Sequence, residues 1–190
     1  LIEIFDPDRL STSAGGFDVK KLQWMNGEYI KTLSAEAFID LTLPYLIEAG
    51  KVSENMDDEK RQWIEEVLAL YQSQLAYGAE IVDLTELFFK ETITYDEDAQ
   101  AVLEEEQAIE VLQVFTDKLI HLDDFNAAHI KEQLKATQKE TKHRGRRLFM
   151  PIRVATTGQT NGPELPKALE LLGKSVVLSR LDQVLSHLGA

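Results

Sequence analysis

Four arginines, Arg144, Arg146, Arg147 and Arg153, fall within ten residues of an otherwise acidic chain. A Gly/Thr/Asn loop follows, Gly158 to Asn161, and then Gly162-Pro163. Guanidinium groups pair phosphates bidentately. A glycine-rich turn ahead of a helix leaves backbone N–H groups free for phosphate oxygens or base-edge acceptors. Cations, flexible turn and helix N-terminus in that order suit a polyanion, and single-stranded RNA loops are read with this combination. The alternative for the arginines is a solvated basic helix end, and for Gly162-Pro163 an ordinary helix start.

The net charge of −13 argues against nucleic acid only as an average. Residues 131–153 carry eight Lys/Arg against Glu132 and Glu140, a local +6, whereas residues 1–130 sum to −19. Charge segregated in this way gives a positive field over roughly 8–10 Å and repels a polyanion elsewhere, which favours one pose over many. A second dense segment, FDVKKLQWMNGEYI, sets Lys20 and Lys21 beside Trp24, Asn26 and Tyr29, with Phe17, Lys21 and Trp24 on one helical face. It reads either as a modest RNA-backbone contact or as a core helix with Trp24 buried and its lysines snorkelling.

Catalysis finds little support. The chain has no cysteine, so no disulfide framework, thiolate nucleophile or thiolate metal site. His121, His129, His143 and His187 lack ligand-spaced partners, and TTGQTNG lacks the Lys-Ser/Thr ending of a phosphate-binding loop. No catalytic residue and no metal site is expected. With 44% hydrophobic and 28% charged residues the composition is that of a soluble globular protein. No apolar run reaches the roughly 18 residues that span a bilayer, so a cytoplasmic location without membrane contact is expected. The chain opens mid-pattern at Leu1 and is read as a piece of a longer protein.

Helical periodicity dominates the elements that must position these residues, and the fold class expected is all-α, two helical subdomains in series. Ser34 caps a helix to about Ala49, interrupted by Pro44. Asp57 or Asp58 caps another, running on to about Leu75. A third lies near Ala79–Phe89. Thr92–Tyr95 is a short β-like break and a subdomain boundary. One long helix is predicted over Asp96–Leu122, with Ala108, Leu112, Phe115 and Leu119 as its apolar stripe. Asp123 or Asp124 caps the next, ending near Lys142. Arg144–Pro151 is open between helix and loop. The last two helices are predicted over Pro163–Gly173 and Lys174–Leu188.

Two motifs then carry a resemblance. Ser11, Phe17-Asp18, Lys21-Leu22, Trp24, Asn26 and Tyr29 resemble the segment that follows the catalytic domain in bacterial glutamyl-tRNA synthetases. PIRVATTG…GPEL…LLGK, from Pro151 to Lys174, is similar to the anticodon-binding signature of the same family. The two lie about 130 residues apart, in the family's order, and the likeness covers essentially the whole chain.

The resemblance implies an α-helical cage for the anticodon loop of a glutamate–tRNA ligase, with residues 1–32 the end of a stem-contact region and 33–94 and 95–190 two anticodon-binding subdomains. It implies tRNA as partner and no DNA. ATP and magnesium belong to the parent ligase and no cofactor to this part, since the family's HIGH and KMSKS-type signatures are absent here. Carried over by residue, Arg153, Gly162, Pro163 and Leu165 fall on anticodon-contacting positions, and Ser11, Lys21 and Trp24 on positions facing the tRNA stem. Arg144, Arg146 and Arg147 lie outside the family signature and are read as phosphate holders. Gln74 departs from the pattern, standing where some members have an arginine that discriminates the third anticodon base. A neutral amide, both donor and acceptor, tolerates more than one base edge, so relaxed reading of glutamate and glutamine tRNAs is expected. Two other readings stay open: a non-catalytic helical protein-interaction domain using the acidic half, and the helical cage of a class I lysyl-tRNA synthetase.

Overall fold

A computed structural model of the chain describes residues 18–189. Ser11 and Phe17 lie outside the described residues. Those residues form ten α-helices and no strand: α1 Val19–Thr32, α2 Ala35–Glu48, α3 Asp58–Ala69, α4 Ile81–Leu84, α5 Glu97–Leu103, α6 Ala108–Ile120, α7 Ala127–Thr141, α8 Arg146–Thr157, α9 Leu165–Leu172 and α10 Lys174–Leu188. The all-α expectation holds. Thr92–Tyr95 makes a connection without strand pairing among the described residues.

Local capping chemistry sets half of the ten helix starts. Ser34 Oγ accepts from the Ala37 N–H, and Asp57 and Asp96 do the same for Lys60 and Ala99. For α7 the cap is Asn126, not Asp123 or Asp124: its side chain accepts from the His129 N–H. The α2 helix runs unbroken through Pro44. The carbonyl that Pro44 cannot bond belongs to Asp40, an exposed residue.

Three stretches of predicted helix are shorter or more broken than the pattern predicts. The helix opened by Asp57 stops at Ala69, and residues 70–77 turn back toward α1. The segment Ala79–Phe89 is a short α4 flanked by two 3₁₀ turns, Gly78–Glu80 and Glu86–Phe88. The long helix predicted over Asp96–Leu122 is two helices, broken at residues 104–107. Glu104, Glu105 and Glu106 would crowd like charge onto the negative end of α5. The break lets Glu105 meet Arg146 and Gln107 instead. Gln107 also donates to the Arg147 carbonyl at 3.4 Å, the group left without a helical partner by Pro151. That contact allows α8 to continue through its proline, and the segment Arg144–Pro151 is thus helical from Arg146 onward.

Two hydrophobic clusters interlock. The smaller gathers Ile30, Phe38, Leu46, Ile64, Leu68, Tyr71 and Ile81. The larger is built on Val111, Leu112, Phe115, Leu119, Ile152, Leu169 and Leu181. All four residues of the predicted stripe on α6 are fully buried. Trp63 of α3 stacks edge-on against Phe88 and Phe89, and its Nε1 donates to the Leu171 carbonyl of α9 at 2.7 Å. Beside it Lys167 bridges to Glu66 at 2.8 Å, lowering the carboxyl and raising the ammonium from their usual ranges.

A buried cation completes the joint. Arg180 of α10, 1% exposed, donates to the carbonyls of Thr156, Leu87 and Lys90 at 2.7–2.8 Å. Tyr95 donates nearby to the Ala155 carbonyl, and burial pushes its hydroxyl up to about 12.

The α8 helix closes on Gly158 in the left-handed region, φ 74°, where a Cβ would stand 3.0 Å from the Thr94 carbonyl oxygen. Gly158→Ala is therefore expected to cost about 1–2 kcal/mol, checked by thermal unfolding.

Candidate anticodon-loop interface

The turn at residues 70–77 presents Gln74, and three side chains hold that turn. Asn26 of α1 donates to the Ala76 carbonyl, Gln72 donates to the carbonyls of Ile30 and Leu33, and Glu80 accepts from the N–H groups of Ala76 and Tyr77. Gly27 permits the close approach, since a Cβ there would meet the Leu75 carbonyl at 3.1 Å. Asn26 is thus occupied within the fold. Gln74 itself is exposed.

Across from this turn, α8 places Arg146, Met150 and Arg153 at i, i+4 and i+7, on one face. The loop 158–162 folds back over that face. A cleft of about 290 Å³ is lined by Tyr71 and Gln74 from one side and by Gly158, Gln159, Asn161 and Gly162 from the other. A neighbouring cleft shares Thr160 and Asn161 with it and is lined further by Glu105, Arg146 and Met150. Gly162 lies close to Arg153, because a Cβ at residue 162 would stand 3.0 Å from Arg153 Nη1. Arg153 is half-buried, and desolvation holds its guanidinium below the usual arginine range.

The fold therefore brings Gln74 and Gly162 to one cleft, sets Arg153 beside Gly162 and places Arg146 in the neighbouring cleft. Arg144, Arg146 and Arg147 are exposed around the start of α8. Arginines in a first helical turn sit at the positive end of the helix dipole, an arrangement unfavourable to them and favourable to an anion placed between them. Arg146 is partly neutralised by Glu105, whose carboxyl it holds below the usual range.

Pro163 and Leu165 stand differently. Both side chains are buried, Leu165 within the larger core. They position the loop and offer a ligand no side-chain surface. The last turn of sequence before α9 is not helical, so α9 begins at Leu165 and not at Pro163. Lys21 and Trp24 lie on α1, with Trp24 66% exposed, so the reading of α1 as a core helix with Trp24 buried does not hold within the described residues.

Two residues of importance escaped sequence reasoning. Tyr71 counts as a core residue by its helical spacing, yet it also lines the cleft. Its hydroxyl, three residues before an exposed glutamine, was the available signal. Arg180 lies on the apolar side of α10, between Val177 and Leu181, and that position alone marks it as buried.

The family model described as anticodon binding domain matches residues 37–185. A glutamate–tRNA ligase of Oceanobacillus iheyensis is 66% identical over 190 residues, all of this chain and 39% of that protein. That of Bacillus subtilis is 52% identical over 183 residues, 96% of this chain and 38% of that protein. The chain thus spans less than two fifths of the length of these relatives. Among solved structures, a glutamate tRNA ligase from Elizabethkingia meningosepticum, in complex with its amino acid, superposes with a TM-score of 0.74. It shares 24% identity over 90% of this chain and 32% of that one, a likeness of fold. The chain belongs to the anticodon-binding domain family.

Proposed function

We propose that this chain is the anticodon-recognising part of a glutamate–tRNA ligase, holding the tRNA while the rest of the ligase carries out ATP- and magnesium-dependent aminoacylation in the cytoplasm. The observation that carries this reading is the meeting of Gln74 and Gly162 in one cleft, with Arg153 set against Gly162 and Arg146 lining the neighbouring cleft. Unstacked bases enter the cleft, and Arg144, Arg146 and Arg147 hold phosphates at its basic end. Residues 33–94 and 95–190 act as two halves that close on the loop. Lys21 and Trp24 face the stem. No helix among the described residues is long and apolar enough to cross a membrane.

The exposed Gln74 amide favours relaxed reading, so that glutamate and glutamine tRNAs bind alike. Its side chain makes no hydrogen bond among the described residues that would lock the amide in one orientation, and a free amide offers either a donor or an acceptor. The test is titration of the 190-residue chain with fluorescent anticodon stem-loops of both tRNAs over a range of salt. Similar affinities are expected, with a log–log salt slope of about −2 from three phosphate contacts on single-stranded RNA. A large preference for the glutamate hairpin removes the relaxed-reading part. Binding that is flat with salt, or absent, removes the anticodon reading and favours the protein-interaction alternative.

A further inference from the structure

Two polar atoms at the cleft have hydrogen-bonding capacity that the described residues do not use. Tyr71 is 1% exposed, and its hydroxyl has no partner among the described residues. Arg153 Nη1 is buried and equally without a partner among them. The two meet across Gly162: Tyr71 and Gly162 line the same cleft, and a Cβ at residue 162 would stand 3.0 Å from Arg153 Nη1. Buried polar groups are nearly always satisfied, and an unpaired one is costly. Two together, beside an open cleft, mark a place where a ligand completes the hydrogen bonding.

The surroundings define the ligand. The Tyr71 ring is pinned edge-on against Phe88, centroids 6.3 Å apart, so its hydroxyl is held in place before anything binds. Gln74 sits one turn on, its N–H donating to the Tyr71 carbonyl at 2.9 Å, which sets hydroxyl and amide at the floor and mouth of the same cleft. Asp96 also lines the cleft, and its carboxylate opposes a phosphate there. The remaining polar lining is amide and hydroxyl from Gln159, Thr160 and Asn161. A neutral acceptor fits this set better than an anion.

We propose that Tyr71 is a specificity-determining residue of this cleft, its hydroxyl donating jointly with Arg153 Nη1 to one keto oxygen of an unstacked base. A carbonyl oxygen has two lone pairs and accepts both donors at once. Uracil O4 or guanine O6 is such an oxygen, whereas at the same position the amino group of cytosine or adenine would set a donor against the guanidinium. Gln74 then tolerates variation at the mouth while the floor selects for a carbonyl. This inference rests on the anticodon reading above.

The test is Tyr71→Phe in the 190-residue chain, which keeps the packed ring and removes only the hydroxyl. Affinity for the glutamate anticodon stem-loop is expected to fall about tenfold, the effect of one lost hydrogen bond at a buried site. The midpoint of thermal unfolding is expected to stay level or rise by about 2–4 °C, because an unpaired buried hydroxyl is gone. A second arm scans hairpins in which each anticodon nucleotide in turn is abasic or carries a methylphosphonate. At one nucleotide the abasic change should weaken the wild type about tenfold or more and Tyr71→Phe much less, while the methylphosphonate weakens both equally. Coupling to the methylphosphonate would overturn the assignment to a base. Wild-type affinity in Tyr71→Phe would overturn it too, and alone, provided that Arg153→Ala still loses binding. If the wild type does not bind the hairpin, both this inference and the anticodon reading fall.

Discussion

Arg180→Ala is expected to lower stability by about 3–4 kcal/mol, read as a drop of roughly 6–16 °C in the thermal midpoint for a chain of this size. The substitution strips hydrogen bonds from three carbonyls, those of Thr156, Leu87 and Lys90, and leaves a cavity where a full guanidinium was packed. An unsatisfied buried carbonyl costs about 1–3 kcal/mol. Against that stands the relief of a buried cation with no carboxylate partner among its hydrogen bonds, held below its usual range by desolvation. The first effect wins because two buried carbonyls, those of Thr156 and Leu87, lose their partner for one charge removed, while the part-buried Lys90 carbonyl can turn to water. Arg180→Met refills the volume and should recover part of the loss but not the carbonyl hydrogen bonds. Since Leu87 and Lys90 precede the 92–95 connection and Thr156 precedes the cleft loop, urea titration should also show a lower midpoint. A change below about 2 °C in both variants would mean that the carbonyls find other partners.

Arg153→Ala should behave in the opposite way, stable but unable to bind. Nη1 of this guanidinium makes no hydrogen bond among the described residues and the group is half-buried, so its removal costs the fold little. Binding of the glutamate anticodon stem-loop should weaken about 30- to 100-fold, the 2–3 kcal/mol of a charge-assisted hydrogen bond lost in a partly desolvated site. Arg153→Lys keeps the charge and loses the fork, and should recover less than half of that free energy. Fluorescence anisotropy at two salt concentrations separates the two contributions, because a base contact changes affinity with little change in salt slope and a phosphate contact changes both. A loss under threefold in Arg153→Ala would sink the proposed cleft.

Much of the scaffold was legible because its signals are local. Ser34 and Asp57 cap where their neighbours predict, since an N-cap needs only a short polar side chain and the next three N–H groups. The α6 stripe is buried because period 3.6 puts Ala108, Leu112, Phe115 and Leu119 on one face. The break at 104–107 was not legible. No glycine or proline marks it, and its cause is the distant pair Glu105–Arg146 together with the carbonyl freed by Pro151. Asn126 displaced Asp123 and Asp124 as the cap of α7 for a comparable reason: three candidate caps in four residues are chemically equivalent until packing selects one.

By itself the sequence determined the helical class, the basic segment from Lys131 to Arg153 and the two motifs that resemble the synthetase family, because composition, periodicity and residue spacing along the chain carry that information. Only the tertiary structure decided which of those residues share a site. Gln74 and Arg153 are 79 positions apart in the chain, and they line and flank one cleft because the 70–77 turn is tied down by Asn26, Gln72 and Glu80 while Gly162 closes on the arginine. The same packing put Pro163 and Leu165 inside and left the Tyr71 hydroxyl without a partner among the described residues at the floor. Burial and hydrogen-bond satisfaction are properties of a folded neighbourhood, and no linear pattern encodes them before the neighbours meet.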